Sequence, residues 1–268
     1  MTTQEANFSA KDVMALRQET DMGMMDCKKA LAEANRKTKK AKELLFAKKK
    51  GKMETRTERA TGEGRVALII EGPEAVIVEV RTETDFTARN DKFVTTVDEL
   101  TRHAMGMPAG TIEPDDAMTR LVDQLRVTTG ENVNFARGER FSGGQYGGYI
   151  HHDAKRGALV EIEGGTVDEE VLKGICQHIV FHDPKFLDES QVPADELDAV
   201  RNDAIQEAKD SGKPEEIAEK IATGKVRRFL EDNTLVNQKF ILDEEKTVGS
   251  LLPEGARITR FVRYTLGS

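Results

Sequence analysis

The chain has 268 residues, 38% of them hydrophobic and 33% charged, enough apolar material for a real core beneath a well-solvated surface. Aromatic residues make up only 5% and Trp is absent, so that core must come mostly from Leu, Ile, Val, Ala and Met. The net charge of −8 is unevenly spread: residues 1–60 carry 15 Lys and Arg against 9 Asp and Glu, a balance of +6 that leaves −14 for the rest. A basic head on an acidic body predicts a head with its own partner surface and argues against nucleic-acid binding along the whole chain. The length fits one or two compact domains with a small appended one. No apolar run reaches the ~18 residues of a membrane span, and "MTTQEANFSAKD" lacks the apolar stretch of a secretion signal. Cys27 and Cys176 lie far apart in helix-like patterns and read as small buried hydrophobes, so a reducing, cytoplasmic setting is expected.

In chain order, residues 9–50 read as three short helices. Ser9 with Asp12 forms a capping box, and Phe8 with Val13 occupies the staple positions around it. The first helix carries Val13 and Leu16, the second Met25, Leu31 and Ala34, the third Ala41, Leu44 and Leu45. Lys48, Lys49 and Lys50 suit the negative end of that helix, and Gly51 the position just past it. Residues 1–52 are thus a three-helix domain, and the polar, non-periodic residues 53–63 a linker. "GRVALIIEG" and "EAVIVEVRT" are β-branched runs around a Gly-Pro turn, a predicted hairpin. Asn90 is placed to cap a helix with Phe93, Val97 and Leu100 inward; a second helix starts near Pro114, carries Met118, Leu121, Val122 and Leu125, and stops at Gly130.

The order then repeats. "YGGYIHH" and "GALVEIEGG" predict a strand pair, and "DEEVLKGICQHIVFH" a helix with Leu172, Ile175, Ile179 and Val180 inward. This divides the core into two similar halves, 64–144 and 145–268. Residues 193–232 interrupt the second half with an antiparallel helical hairpin: Leu197, Ala204, Ile205 and Ala208 form a narrow seam on its first helix, Gly212 closes that helix, and Pro214 opens the next at its first helical position. The thin seam and many charges predict that the hairpin projects. "ARITRFVRYTLG" returns to strand. The fold class is α+β, with antiparallel sheets.

The chemistry-bearing patterns are sparse. His178 and His182 have the i, i+4 spacing of a zinc pair, but no Glu follows the first and no third ligand is evident, so helix packing is the expected reading. His151 and His152 end a strand, where successive side chains face opposite ways. "SGGQYGG", 142–148, lacks the spacing and Lys-Ser/Thr of a phosphate loop and reads as a turn. No nucleophile triad and no nucleotide fingerprint stand out, so no enzyme, resident metal or cofactor is expected. Phe86, in "EVRTETDFTARND", is a ring among charged and hydroxyl side chains. With Asn90 as cap, the staple position would be 89, so Phe86 is either packed into the sheet edge or offered to a partner as a binding anchor.

"TDMGMMDCKKALAEAN" (20–35) resembles the N-terminal motif of the bacterial elongation factor Ts family, and "TDF" (84–86) its exchange motif. "GENVNFAR" (130–137), "YIHH" (149–152), "SGKPEEIAEKIATGKVRRF" (211–229) and "KTVGSLL" (246–252) match further blocks of that family in the right order across essentially the whole chain. The resemblance implies a non-enzymatic guanine nucleotide exchange factor of translation, whose partner is elongation factor Tu in its GDP-bound and nucleotide-free forms, with no direct nucleic-acid or membrane contact. It implies a ubiquitin-associated-like (UBA-like) three-helix domain, a two-part core and a coiled-coil insertion. By resemblance, Thr84, Asp85, Phe86 and Thr87 form the segment that dislodges the partner's magnesium, Phe86 wedges between helices of the GTPase, and His151 assists. Thr129 and Gly130 fall where the family contacts the partner, although Thr129 departs from the apolar residue of some members. Met24 and Met25 would dock the partner through an adaptable surface, with a core role for Met25 the rival. Some members add a C-terminal helical segment, for which the chain, stopping at Ser268, leaves no room. The competing readings are an adaptor without exchange activity and a nucleic-acid-binding protein that uses the basic N-terminal helices.

Overall fold

The computed structural model describes residues 8–20, 22–54 and 57–268. The N-terminal stretch 1–7, Asp21 of the N-terminal motif and residues 55–56 of the expected linker lie outside the described residues. The chain is α+β and divides into two compact units. One comprises Met1–Arg65, Val78–Glu139 and Gly267, the other Val66–Ile77, Arg140–Leu266 and Ser268.

In the first unit, helices α1 (Ala10–Thr20), α2 (Met24–Glu33) and α3 (Thr38–Glu54) enclose Val13, Leu16, Met22, Cys27, Ala30, Leu31, Ala34, Ala41 and Leu45. The capping box forms as read: Asp12 accepts from the Ser9 amide at 2.8 Å, and the Asp12 amide donates to Ser9 Oγ at 3.3 Å. Two expectations fail here. Met25 does not point inward; it is 62% exposed, and Cys27, Ala30 and Leu31 take the inner face. Nor does Gly51 end α3, which continues to Glu54. An interior Gly costs a helix only about 1 kcal/mol. Tertiary contacts just before it outweigh that: Lys49 donates to the Val127 carbonyl at 3.2 Å, and Lys50 pairs with Asp123 at 2.7 Å.

Both partners of those lysines lie on α6 (Asp116–Thr129), whose Val127 also joins the core of the three-helix bundle. Before it come β1 (Glu63–Glu71), β2 (Glu74–Thr82), the single-turn α4 (Asp85–Ala88), α5 (Asp91–Ala104) and the short β3 (Gly110–Thr111); β4 (Val133–Ser142) follows. The sheet order is β1-β2-β4-β3, and β1, β2 and β4 contribute residues to both units. Asn90 caps α5 through a 2.9 Å bond from the Lys92 amide, and Asp115 caps α6. Phe93, Val97 and Leu100 of α5 and Met118, Val122 and Leu125 of α6 are buried, as their spacing predicts, while Leu121 is only half-buried. The fully buried Glu79 anchors β2, accepting from Arg81 and Arg137. The described linker residues are tied to β4 and the residue before it: Asn132 donates to the Thr57 and Arg59 carbonyls, and Asn134 to the Thr61 hydroxyl.

In the second unit, β5 (Gln145–Ile150), β6 (Arg156–Glu163) and β9 (Arg257–Thr265) form an antiparallel sheet in that order. Helix α7 (Glu169–His182) buries Leu172, Ile175, Ile179 and Val180 in its core, together with Cys176. Gly143 and Gly144 make the turn before β5, but Gly147 and Gly148 lie inside the strand; a Cβ there would collide with Leu172 and Leu68 respectively, so these two are required by packing. Helices α8 (Ala194–Asp210) and α9 (Glu215–Asn233) pack on each other through Ala204, Ala208, Ala218 and Ala222. Their ion pairs, Arg201 with Glu219 and Lys209 with Glu215, show that they run antiparallel. Gly212 turns the chain at φ 73°, and Pro214 stands at the cap of α9, one place before the first helical position expected for it. The parallel bridge Phe186↔Thr234 joins the two ends of the insertion. A small pair, β7 (Lys239–Phe240) and β8 (Asp243–Thr247), precedes β9.

Candidate partner-binding site

The site is built where β2 ends. Thr82 is buried, the chain bends at Glu83, and the extended Thr84 caps the single turn α4 by accepting from the Thr87 amide at 3.3 Å. Four residues make a marginal helix on their own, so the turn needs outside support. Gly130, left-handed at φ 76°, ends α6 and reverses the chain there. The next residue, Glu131, then reaches across the sequence. Its Oε2 accepts from Thr82 Oγ1 at 2.9 Å and from the Thr84 amide at 3.0 Å, and its Oε1 accepts from Thr84 Oγ1 at 2.7 Å. The clasp is returned from the other side, because Glu83 accepts from the Asn132 amide at 2.6 Å. Arg59 closes on Glu83 at 3.3 Å. Burial works against the Glu131 charge, but the hydrogen bonds from Thr84, Thr87 and Thr82 outweigh it and hold the carboxyl below its ordinary value.

On this support stands Phe86, 85% exposed. The reading that packs it into the sheet edge is therefore excluded; it is offered outward. Its ring borders an open groove of about 330 Å³ lined by Phe86, Thr87, Asn90, Lys92, Thr128 and Thr129. Asp85 stays near the surface, 3.4 Å from Arg89. Thr129 spends its hydroxyl on the helix end, donating to the Leu125 carbonyl at 2.8 Å and accepting from the Glu131 amide at 3.2 Å.

The structure thus gathers Thr84, Asp85, Phe86, Thr87, Thr129 and Gly130 into one region of the first unit. Met24 and Met25 are exposed on α2, at 47% and 62%, and do not line the groove. The exposure of Met25 removes the rival core role. His151 belongs to the second unit. It lies in the turn after β5, not on the strand, so it and His152 do not face opposite ways: their rings are 4.2 Å apart, and His151 Nδ1 is 2.9 Å from Tyr149 Oη. Sequence reasoning missed Glu131, Glu83 and Asn132. A carboxylate just past a helix-ending Gly carries no periodic signal, and its threonine partners lie 47 and 49 residues away.

Of the histidine pair on α7, His178 packs inward as expected, while His182 is exposed. His178 is buried, its Nε2 is 2.9 Å from Gln238 Oε1, and its Nδ1 accepts from the Ile241 amide at 3.2 Å. Both ring nitrogens are therefore taken, and the His182 ring stacks on it at 4.4 Å. Burial lowers its pKa to about 4, against the pull of the Gln238 hydrogen bond and helped by His182. Among the described residues, no group of three or more His, Cys, Asp or Glu could hold a metal ion.

The family model described as elongation factor TS matches residues 83–268, beginning one residue before the Thr84 cap. The elongation factor Ts of Thioalkalivibrio sulfidiphilus is 38% identical, over 97% of this chain and 92% of its own length. That of Halorhodospira halophila is 35% identical over 97% and 92%, and that of an Azoarcus species 37% identical over 98% and 91%. With the supported turn, its outward ring and these matches along nearly the whole length, the chain belongs to the elongation factor Ts family.

Proposed function

We propose that the chain is a guanine nucleotide exchange factor for elongation factor Tu and works without catalysing a covalent step. The observation that carries this reading is Phe86, an aromatic ring left in water on a turn held by five hydrogen bonds within residues 82–87 and 131–132. Such a ring has its conformational cost met in advance and gains burial only on a partner. On the GTPase it wedges between helices near the magnesium site, with Asp85 and Thr87 beside it, Thr129 along the groove and Gly130 next to Thr129. Packed helices shift between discrete arrangements rather than bending smoothly. The shift displaces ligands of the magnesium ion, which demands tight octahedral geometry, and GDP leaves. A factor that prefers the nucleotide-free form must weaken nucleotide binding by the same factor. His151 and the exposed Met24 and Met25 supply further contacts.

In this reading residues 1–52 are a UBA-like domain joined by the 53–63 linker to core halves 64–144 and 145–268, and the 193–232 hairpin is a coiled-coil insertion. The factor acts in the cytoplasm on the GDP-bound and nucleotide-free GTPase, without nucleic acid or membrane. The experiment is release of fluorescent GDP from elongation factor Tu in excess magnesium and in excess chelator. The chain should accelerate release strongly in magnesium and much less once the chelator has already removed the metal. No acceleration in magnesium contradicts exchange, and equal acceleration in both contradicts the metal-displacing route.

A further inference from the structure

We infer that Glu131 is a positioning residue for exchange, holding the Thr84 turn so that Phe86 meets the GTPase already oriented. The inference rests on the exchange reading above and deepens it. Three hydrogen bonds of 2.7–3.0 Å converge on one carboxylate, from Thr82 Oγ1, the Thr84 amide and Thr84 Oγ1, with the Thr87 hydroxyl also turned to it. Two of these donors belong to the residue that caps α4, and the third ends β2. Bonds to a charged acceptor are the stronger kind, and here they fix both the backbone and the side chain of the cap.

Glu131 has this job rather than its neighbours. Phe86 touches little of its own chain, so packing of the ring does not hold it. The single turn α4 has one side-chain cap bond, at 3.3 Å, and the hydroxyl that accepts it is the one Glu131 orients. Glu131 is itself set by α6: the left-handed Gly130 aims it, and Thr129 Oγ1 accepts from its amide. Helix α6 is braced by the N-terminal bundle through Val127, Lys49 and Lys50. A braced helix therefore ends in the carboxylate that holds the ring's turn, and a displacement of about 1 Å in such a support can cost an active geometry up to roughly a hundredfold.

The test is a double-mutant comparison in the GDP-release assay, with the full chain and elongation factor Tu. Glu131→Ala should lower stimulated release about tenfold or more when Phe86 is present and less than about twofold in the Phe86→Ala background, because both changes remove one function. Glu131→Gln, which keeps the shape and one acceptor oxygen, should fall between Glu131→Ala and the unchanged chain. Thermal unfolding of each variant checks that it is folded; if Glu131→Ala is not, Glu131→Gln in the two backgrounds decides by the same criterion. A normal rate for the Glu131 variants, beside an impaired Phe86→Ala, overturns the positioning role and leaves the exchange reading intact. Equal fold-losses in both backgrounds also overturn it, since Glu131 would then act other than through the ring. If the unchanged chain stimulates nothing, the exchange reading itself fails and takes the inference with it.

Discussion

A Phe side chain hidden from water is worth about 1.5–3 kcal/mol to a fold, and Phe86, 85% exposed, forgoes most of that. Its removal therefore leaves no cavity. Phe86→Ala should keep the unfolding free energy within about 0.5 kcal/mol, as for other surface positions, which a urea titration would check. Gly130 presents the opposite case. It lies at φ 76°, and no atom stands within 4 Å of where a methyl group would sit, so a side chain there would meet strain and not collision. Gly130→Ala should cost roughly 1 kcal/mol and move Glu131, slowing stimulated release as well as lowering the melting temperature. Unchanged values for both would show that the left-handed turn matters little. At this scale the sequence is legible wherever a rule is local. The Ser9–Asp12 box and the Asn90 cap follow from residues two or three positions apart. The Glu131 clasp does not, because a carboxylate and its donors 47 and 49 residues away have no shared pattern to read.

Among the elements, α7 carries a built-in pH dependence. The folded His178 titrates at about 4, below its ordinary 6.5, because burial disfavours the imidazolium. Above pH 6.5 the group is neutral in both states and contributes no pH dependence. As pH falls from 6.5 to 4 the unfolded chain takes up a proton that the folded chain refuses, so stability is lost across that window and levels off below it. The loss from this group should be on the order of 3 kcal/mol, seen as a falling urea midpoint between about pH 7 and pH 4; a flat midpoint would contradict it. The helical hairpin is a separate element stitched at its base, where the Lys185 and Phe186 amides donate to the Asn233 carbonyl and the Leu235 amide to the Phe186 carbonyl. Replacing residues 196–228 by a short Gly-Ser turn should remove helical signal while the remaining chain still unfolds cooperatively, as circular dichroism against temperature would report. Element types were legible because apolar spacing and turn residues agree along most of the chain. Ends were less so: α3 runs through Gly51 because α6 grips its lysines, and His151 and His152 share a turn because β5 stops at Ile150.

For the whole molecule, the basic first 60 residues and the acidic remainder are a charge pattern visible in sequence, but what braces the basic helices is a structural fact: their lysines and core meet α6, the helix that ends in Gly130 and Glu131. Family membership places the chain in translation elongation; in the proposed exchange function, release of the partner's nucleotide depends on one outward ring. The most direct measurement is the rate of fluorescent GDP release from elongation factor Tu at saturating factor, with the unchanged chain and with Phe86→Ala. A rate at least about tenfold lower is expected for the variant, equivalent to about 1.4 kcal/mol or more of barrier, with its melting temperature unchanged. An undiminished rate from a folded Phe86→Ala chain would contradict it.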